Sequence, residues 1–281
     1  LLELAVDLHF VLGGALVGFI VGATGVGGGS LMTPLLTLVF NVPAQVAVGT
    51  DLLFAGITKA GGAWAHARRG NVQWAITGWL VAGSLPAAVV TLAAVHVLQP
   101  DAALFGEVVR RTLGAALLLT ASALLLRAQI QALGARYAAR DTNVVVAIAA
   151  TTAGYLPLST ERIARPLPTL VTGASIGMLV TLTSVGAGVL GVVALFFLYP
   201  FLPTRKIVGA DIAHAVPLTL VAGFGHAALG TVDWALLGTL LIGSLPAIYL
   251  GATVAHRLPE RLLRLFLSLL LVGIGVKLLV A

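Results

Sequence analysis

The sequence predicts an all-α membrane protein of two inverted-topology repeats, each a glycine-broken, re-entrant-like helical hairpin plus three transmembrane helices. Three observations carry that expectation. Hydrophobic residues make up 59% of the chain and charged residues 9%, against about 25% charged in soluble domains, so the chain cannot cover itself with polar surface and its solvent is lipid. Its apolar segments lack the two-residue alternation of barrel strands, and backbone groups in lipid then require helices. Finally, Val42–Pro86 recurs without a gap as Leu202–Pro246, each residue 160 positions on. Pro43, Gly49, Asp51, His66, Gly70, Trp74 and Gly83-Ser84-Leu85-Pro86 reappear as Pro203, Gly209, Asp211, His226, Gly230, Trp234 and Gly243-Ser244-Leu245-Pro246. Internal duplication of this kind is how many membrane carriers are built.

At roughly 20 residues per span, the length leaves room for about seven to nine membrane segments. Apolar stretches run over 10–40, 43–67, 73–97, 108–126, 169–198, 203–227, 233–255 and 260–281. The first and fifth are too long for single spans: each would measure on the order of 45 Å against a hydrocarbon core of about 30 Å. Each is also broken, by Gly25-Val26-Gly27-Gly28-Gly29-Ser30 and by Thr183-Ser184-Val185-Gly186-Ala187-Gly188. Glycine runs do not hold a helix, so the chain is expected to turn there. Pro86 and Pro246 are expected to kink their helices, and Trp74 and Trp234 to anchor theirs at the interface. No basic stretch followed by a small-residue cleavage site reads as a removable signal peptide.

Charge placement decides whether the broken segments cross or return. If both return, Arg68, Arg69, Arg127, Arg136, Arg140, Arg162, Arg165, Arg205, Lys206, Arg257, Arg261 and Arg264 share one side, twelve of the sixteen basic residues. The positive-inside rule makes that side cytoplasmic. If they crossed, Arg68 and Arg69 would lie opposite Arg205 and Lys206. A returning hairpin plus three crossings is an odd unit, so the second copy enters upside down. The chain then divides into a first repeat (1–127), an inter-repeat insert (128–168) and a second repeat (169–281). Val144–Leu158 is short for a span, and crossing there would reverse the second copy, so it belongs to a cytoplasmic or interfacial insert.

Several residues could carry chemistry. A half-helix starting inside the membrane offers free N–H groups and the positive end of its dipole to an anion. Gly25, Gly27, Gly28, Gly29, Gly186 and Gly188 shape those starts, and Thr24, Ser30, Thr183 and Ser184 add hydroxyls; the alternative is that the glycines merely allow close packing. Lys59 lies about 24 Å along a helix opened by Pro43, at membrane depth, where a lysine costs roughly 2.5–3.5 kcal/mol and usually faces a cavity or partner. Asp51, Thr58, Lys59 and His66 form one polar stripe. A structural Lys59–Asp51 pair or snorkelling of Lys59 are the alternatives. Asp51 and Asp211 occupy equivalent places, and a carboxylate held where its charge is costly can exchange a proton; each could instead cap its helix start. His214, one turn from Asp211, could titrate with it. His66 and His226 read as loop anchors. Without cysteines, thiolate chemistry and thiolate-held metals are excluded. No His-Glu-x-x-His or serine–base pattern points to an enzyme, and nothing implies a cofactor or nucleic acid.

The runs Gly25–Ser30, Val48-Gly49-Thr50-Asp51-Leu52-Leu53, His66 with Gly70-Asn71-Val72-Gln73-Trp74, Gly83–Pro86, Leu182–Gly188 and Gly230-Thr231-Val232-Asp233-Trp234 resemble the sulfite exporter (TauE/SafE) family. The resemblance spans nearly the whole chain outside 128–168. It implies a multi-pass protein of the bacterial inner membrane that exports a small sulfur oxyanion, sulfite or an organosulfonate. Access would alternate by rocking of one half against the other, with protonation at Asp51 or Asp211 as coupling. A passive anion channel and a histidine-based intramembrane enzyme or haem-handling protein are the competing readings. The anion, the direction of flux and the existence of a homo-oligomer stay open. Lys59 has Thr219 as its counterpart, so a fixed positive charge would belong to the first copy alone.

Overall fold

A computed structural model describes residues 8–24, 29–98, 102–140, 165–254 and 260–280. Among these the chain forms helices and no strand: α1 (Leu8–Thr24), α2 (Gly29–Leu38), α3 (Ala44–Arg68), α4 (Trp74–Leu98), α5 (Ala102–Leu125), α6 (Arg127–Ala138), α7 (Pro166–Thr183), α8 (Val189–Leu198), α9 (Thr204–Ala228), α10 (Trp234–Val254) and α11 (Glu260–Val280). The second long apolar segment is interrupted at its glycine run, α7 stopping at Thr183 and α8 starting at Val189; residues 25–28 of the first run lie outside the described residues.

Local sequence sets the shared boundaries. Pro43 and Pro203, at φ −52° and −57°, precede α3 and α9, and their carbonyls accept the Ala47 and Ile207 amides. A ring-locked φ and a missing N–H suit a helix entrance. At the far ends Gly70 and Gly230 take φ of 65° and 74°, the left-handed conformation that ends helices and favours glycine. Trp74 and Trp234 then open α4 and α10 with their rings exposed.

Glycine-tight contacts join the two halves. Helix α1 runs alongside α10 in the same direction: a Cβ on Gly14, Gly18 or Gly22 would strike the carbonyl oxygens of Leu240, Ser244 and Ile248 in turn. Helix α7 lies on α4 in the same manner, with Gly173 and Gly177 against the carbonyls of Leu80 and Ser84. Small residues let helix backbones meet where hydrocarbon offers no hydrophobic drive. Helices α3 and α9 instead run antiparallel, Gly49 facing His226, Gly56 facing Thr219 and Gly209 facing His66. Helices α5 and α11 pair through Gly114 and Gly275, and Arg110 Nη1 donates to the Leu278 carbonyl at 2.7 Å. Each of these four pairs takes one helix from each half, so the repeats interlock.

Among the described residues five helices are long and apolar enough to cross a membrane: α4, the Gly106–Leu125 part of α5, α7, α9 and α10. Helix α3 is as long as α9 but falls short in hydropathy, since Asp51, Lys59, Thr50 and Thr58 sit along it. Helices α2 and α8 have ten residues each, half a span at 1.5 Å per residue. Within the predicted insert, α6 lies against α8. A Cβ on Gly134 would strike the Phe197 carbonyl, Gln131 Nε2 donates to the Pro200 carbonyl at 3.1 Å, and the Tyr137 and Phe197 rings stack at 6.0 Å. Val144–Leu158 lies outside the described residues.

Gly18→Leu should force α1 off α10 and lower stability by about 1–3 kcal/mol, whereas Gly238→Ala, with nothing within 4 Å of its Cβ position, should leave it unchanged. Unfolding of purified protein in mixed micelles checks both.

Candidate functional site

The interior between α3 and α9 holds the charges that the sequence places at membrane depth. Asp51 and Asp211 are fully buried, at 0% and 1% exposure. Each is the eighth residue of its helix, and Pro43 and Pro203 hold the N-cap positions without any side-chain cap bond, so neither carboxylate caps a helix. Thr33 Oγ1 of α2 donates to Asp51 Oδ2 at 2.5 Å. The Ser184 hydroxyl stands beside the same carboxyl group without closing a hydrogen bond among the described residues. Asp51 is therefore where α2 and the break between α7 and α8 meet.

That tip is the better described of the two breaks. Thr183 Oγ1 donates to the Leu179 carbonyl at 2.7 Å and accepts from the Val185 amide at 3.1 Å, using its hydroxyl to close the turn. Ser184 is left-handed at φ 58°, and Gly186 and Gly188 take 120° and 143°, angles that side chains rarely adopt. Helix α8 then starts at Val189, and the Val189 and Leu190 amides have no backbone acceptor among the described residues, as at any fresh helix start. The Lys59 ammonium reaches across from α3 and donates to the Ala187 carbonyl in this tip. It lies within electrostatic reach of both Asp211 and Asp51. The described ion pairs join Glu107 to Arg110 and Arg111 instead, so Lys59 closes on neither acid.

A cavity of about 280 Å³ opens beside this tip, lined by Lys59, Thr58, Asp211, Arg127, Gly188 and Val189 among otherwise apolar residues. Both Asp211 oxygens lack a hydrogen-bond donor among the described residues, and a Cβ on Gly191 of α8 would strike Oδ1. A buried carboxyl group costs free energy unless paired or protonated, and a lysine at the same depth compounds the cost. The arrangement offers two cations, Lys59 and Arg127, one carboxyl group and one helix N-terminus to the same small space.

The family model described as "Sulfite exporter TauE/SafE" matches residues 10–278. The chain belongs to that family. A probable membrane transporter protein YjnA of Bacillus subtilis (strain 168) is 32% identical over 272 residues, 97% of this chain and 99% of the relative. The probable membrane transporter protein YdhB of the same organism is 30% identical over 263 residues, covering 92% and 95%. No solved structure matches. This TauE/SafE member is thus a multi-pass helical protein of a membrane transporter family.

Within the family member's site, the structure brings together Asp51, Lys59, Thr183, Ser184, Gly186, Gly188 and Asp211. Gly29 opens α2; Gly25, Gly27, Gly28 and the side chains of Thr24 and Ser30 lie outside the described residues. His214 does not bond to Asp211. Its Nε2 pairs with Ser84 Oγ of α4 at 2.9 Å, and Nδ1 has no partner among the described residues. His226 is a loop anchor, its ring bonded to Thr231 Oγ1 and to the Thr181 carbonyl, both at 2.9 Å. Sequence reasoning missed Thr33, Ser84, Arg127 and the valine wall of α8. Ser84 carried a signal, since it sits in the repeated Gly-Ser-Leu-Pro run; Thr33 carried none.

Dicyclohexylcarbodiimide, an apolar carboxyl reagent, should modify Asp211 faster than Asp51, and Thr33→Val should raise labelling of Asp51. Peptide mass spectrometry of labelled protein in lipid checks both rates.

Proposed function

We propose that this protein is a secondary transporter that exports a small sulfur-containing anion, sulfite or an organosulfonate, across the bacterial inner membrane. The observation that carries the reading is that Lys59 and the buried Asp211 line one cavity beside the start of α8. The anion would be held by the Val189 and Leu190 amides and by Lys59, with Ser184, Thr183 and, from the first break, Gly29, Ser30 and Thr24 completing the seat. In a cell that is negative inside, an anion leaving gains about 2.3 kcal/mol per charge per 100 mV, which supports the outward direction.

Inverted repeats fit the helix directions. Equivalent helices α3 and α9 run antiparallel, while α1 runs with α10, the counterpart of α4. A two-fold axis in the membrane plane generates that pattern. The interlocked pairs also bear on alternating access. Because α1–α10 and α4–α7 each bind one half to the other, the halves do not rock as whole chain segments; the moving boundary runs between these pairs and the half-helices α2 and α8. Protonation of Asp211 or Asp51, with His214 one turn from Asp211, couples the motion to the proton gradient. Two buried carboxyl groups serve that purpose and would be idle in a passive channel.

Efflux of labelled sulfite and sulfonates from proteoliposomes is the test. Lys59→Ala should slow efflux about tenfold or more, the scale of one lost charge-assisted hydrogen bond. Asp211→Asn should remove the dependence on a pH gradient. Transport unchanged in both variants would take these residues out of the mechanism.

A further inference from the structure

The cavity's walls and its charges call for different parts of a ligand. Lys59, Arg127, Thr58, Asp211 and the α8 start supply the polar contacts, while Val21, Val192, Val208, Ile212 and Ile248 supply apolar wall. Its volume of about 280 Å³ is nearly twice the roughly 150 Å³ of an apolar cavity that takes a benzene ring. Sulfite has four non-hydrogen atoms, all of them polar or bound to polar atoms, and nothing in it answers a valine-lined wall.

We propose, resting on the transport reading above, that the ligand is an organic anion with an apolar body: a sulfonate head on a short alkyl chain or a single ring. The head sits at Lys59 and the α8 amides, and the body lies along Val192, Val208 and Ile248. Lys59 and Arg127 are the cations in the lining, and Asp211 faces the same space. Asp211 is 1% exposed with both oxygens unpartnered among the described residues, an acceptor that desolvated hydrocarbon would not satisfy and a proton would. The body therefore packs past Asp211 when that group is neutral, and the head keeps to the lysine side.

The test is binding to the full chain in lipid nanodiscs, by calorimetry, of sulfite, methanesulfonate, propane-1-sulfonate and pentane-1-sulfonate. Affinity should rise roughly fourfold per added methylene, the increment expected for burying a CH₂ group, so that pentane-1-sulfonate binds at least tenfold tighter than sulfite. Val192→Phe, which fills the wall, should flatten the series; should that variant fail to fold, Val208→Ala should move the optimum to a longer chain. Affinity that is level along the series, or highest for sulfite, overturns the proposal and leaves the transport reading in place. A series that rises equally in Lys59→Ala also overturns it, because the chains would be partitioning into lipid. If none of the anions binds, the transport reading fails and this inference with it.

Discussion

The contact from Lys59 to the Ala187 carbonyl ties the middle of α3 to the hairpin tip of the other half. It is the interaction on which the interior is organised. The Lys59 ammonium lines the cavity, and on the protein side it finds the Ala187 carbonyl, three residues past the left-handed turn at Ser184. The turn in turn frees the first amides of α8. One unusual backbone geometry thus provides for a cation and leaves room for an anion, and the two carboxyl groups stand around the same point.

The two halves share a plan but not a chemistry. Asp51 is held by Thr33, whereas the matching place on α8 is filled by valine, Val192 or Val193, in either register across the break. Asp211 accordingly has no donor among the described residues. Where the first half carries Lys59 the second has Thr219, whose hydroxyl bonds to its own helix at Ala215. Where the second half carries His214 the first has Phe54, fully buried. Duplication supplied the frame, and the charges were then distributed unequally, so that the described cavity opens on the Asp211 side.

Much of the frame was legible in the sequence because its punctuation is local. Proline before α3 and α9, glycine after them and glycine runs in the over-long segments act within a few residues, and the helix limits fall where they stand. The charges at Asp51, Lys59 and Asp211 were legible because a buried ion in an apolar helix has few bland explanations. What escaped were the partners. Thr33 is one hydroxyl on a short half-helix, and only the angle at which α2 returns brings it to Asp51. Arg127 counted in the sequence as a mark of which side faces the cytoplasm; its place in the cavity wall follows from α6 folding onto α8. The capping alternative for the two acids failed for a simple reason, since proline already occupies each helix entrance and the acids sit two turns further in.

The pairing of α1 with α10 and of α4 with α7 has a consequence for how the chain is made. Helix α1 is synthesised well before its glycine-matched partner α10. During translation the bare glycine face of α1 must be sheltered by lipid, the insertion machinery or a chaperone until α10 arrives. Assembly of this protein is therefore a late event that follows insertion, and a stall between the halves would leave a nascent intermediate open to proteolysis.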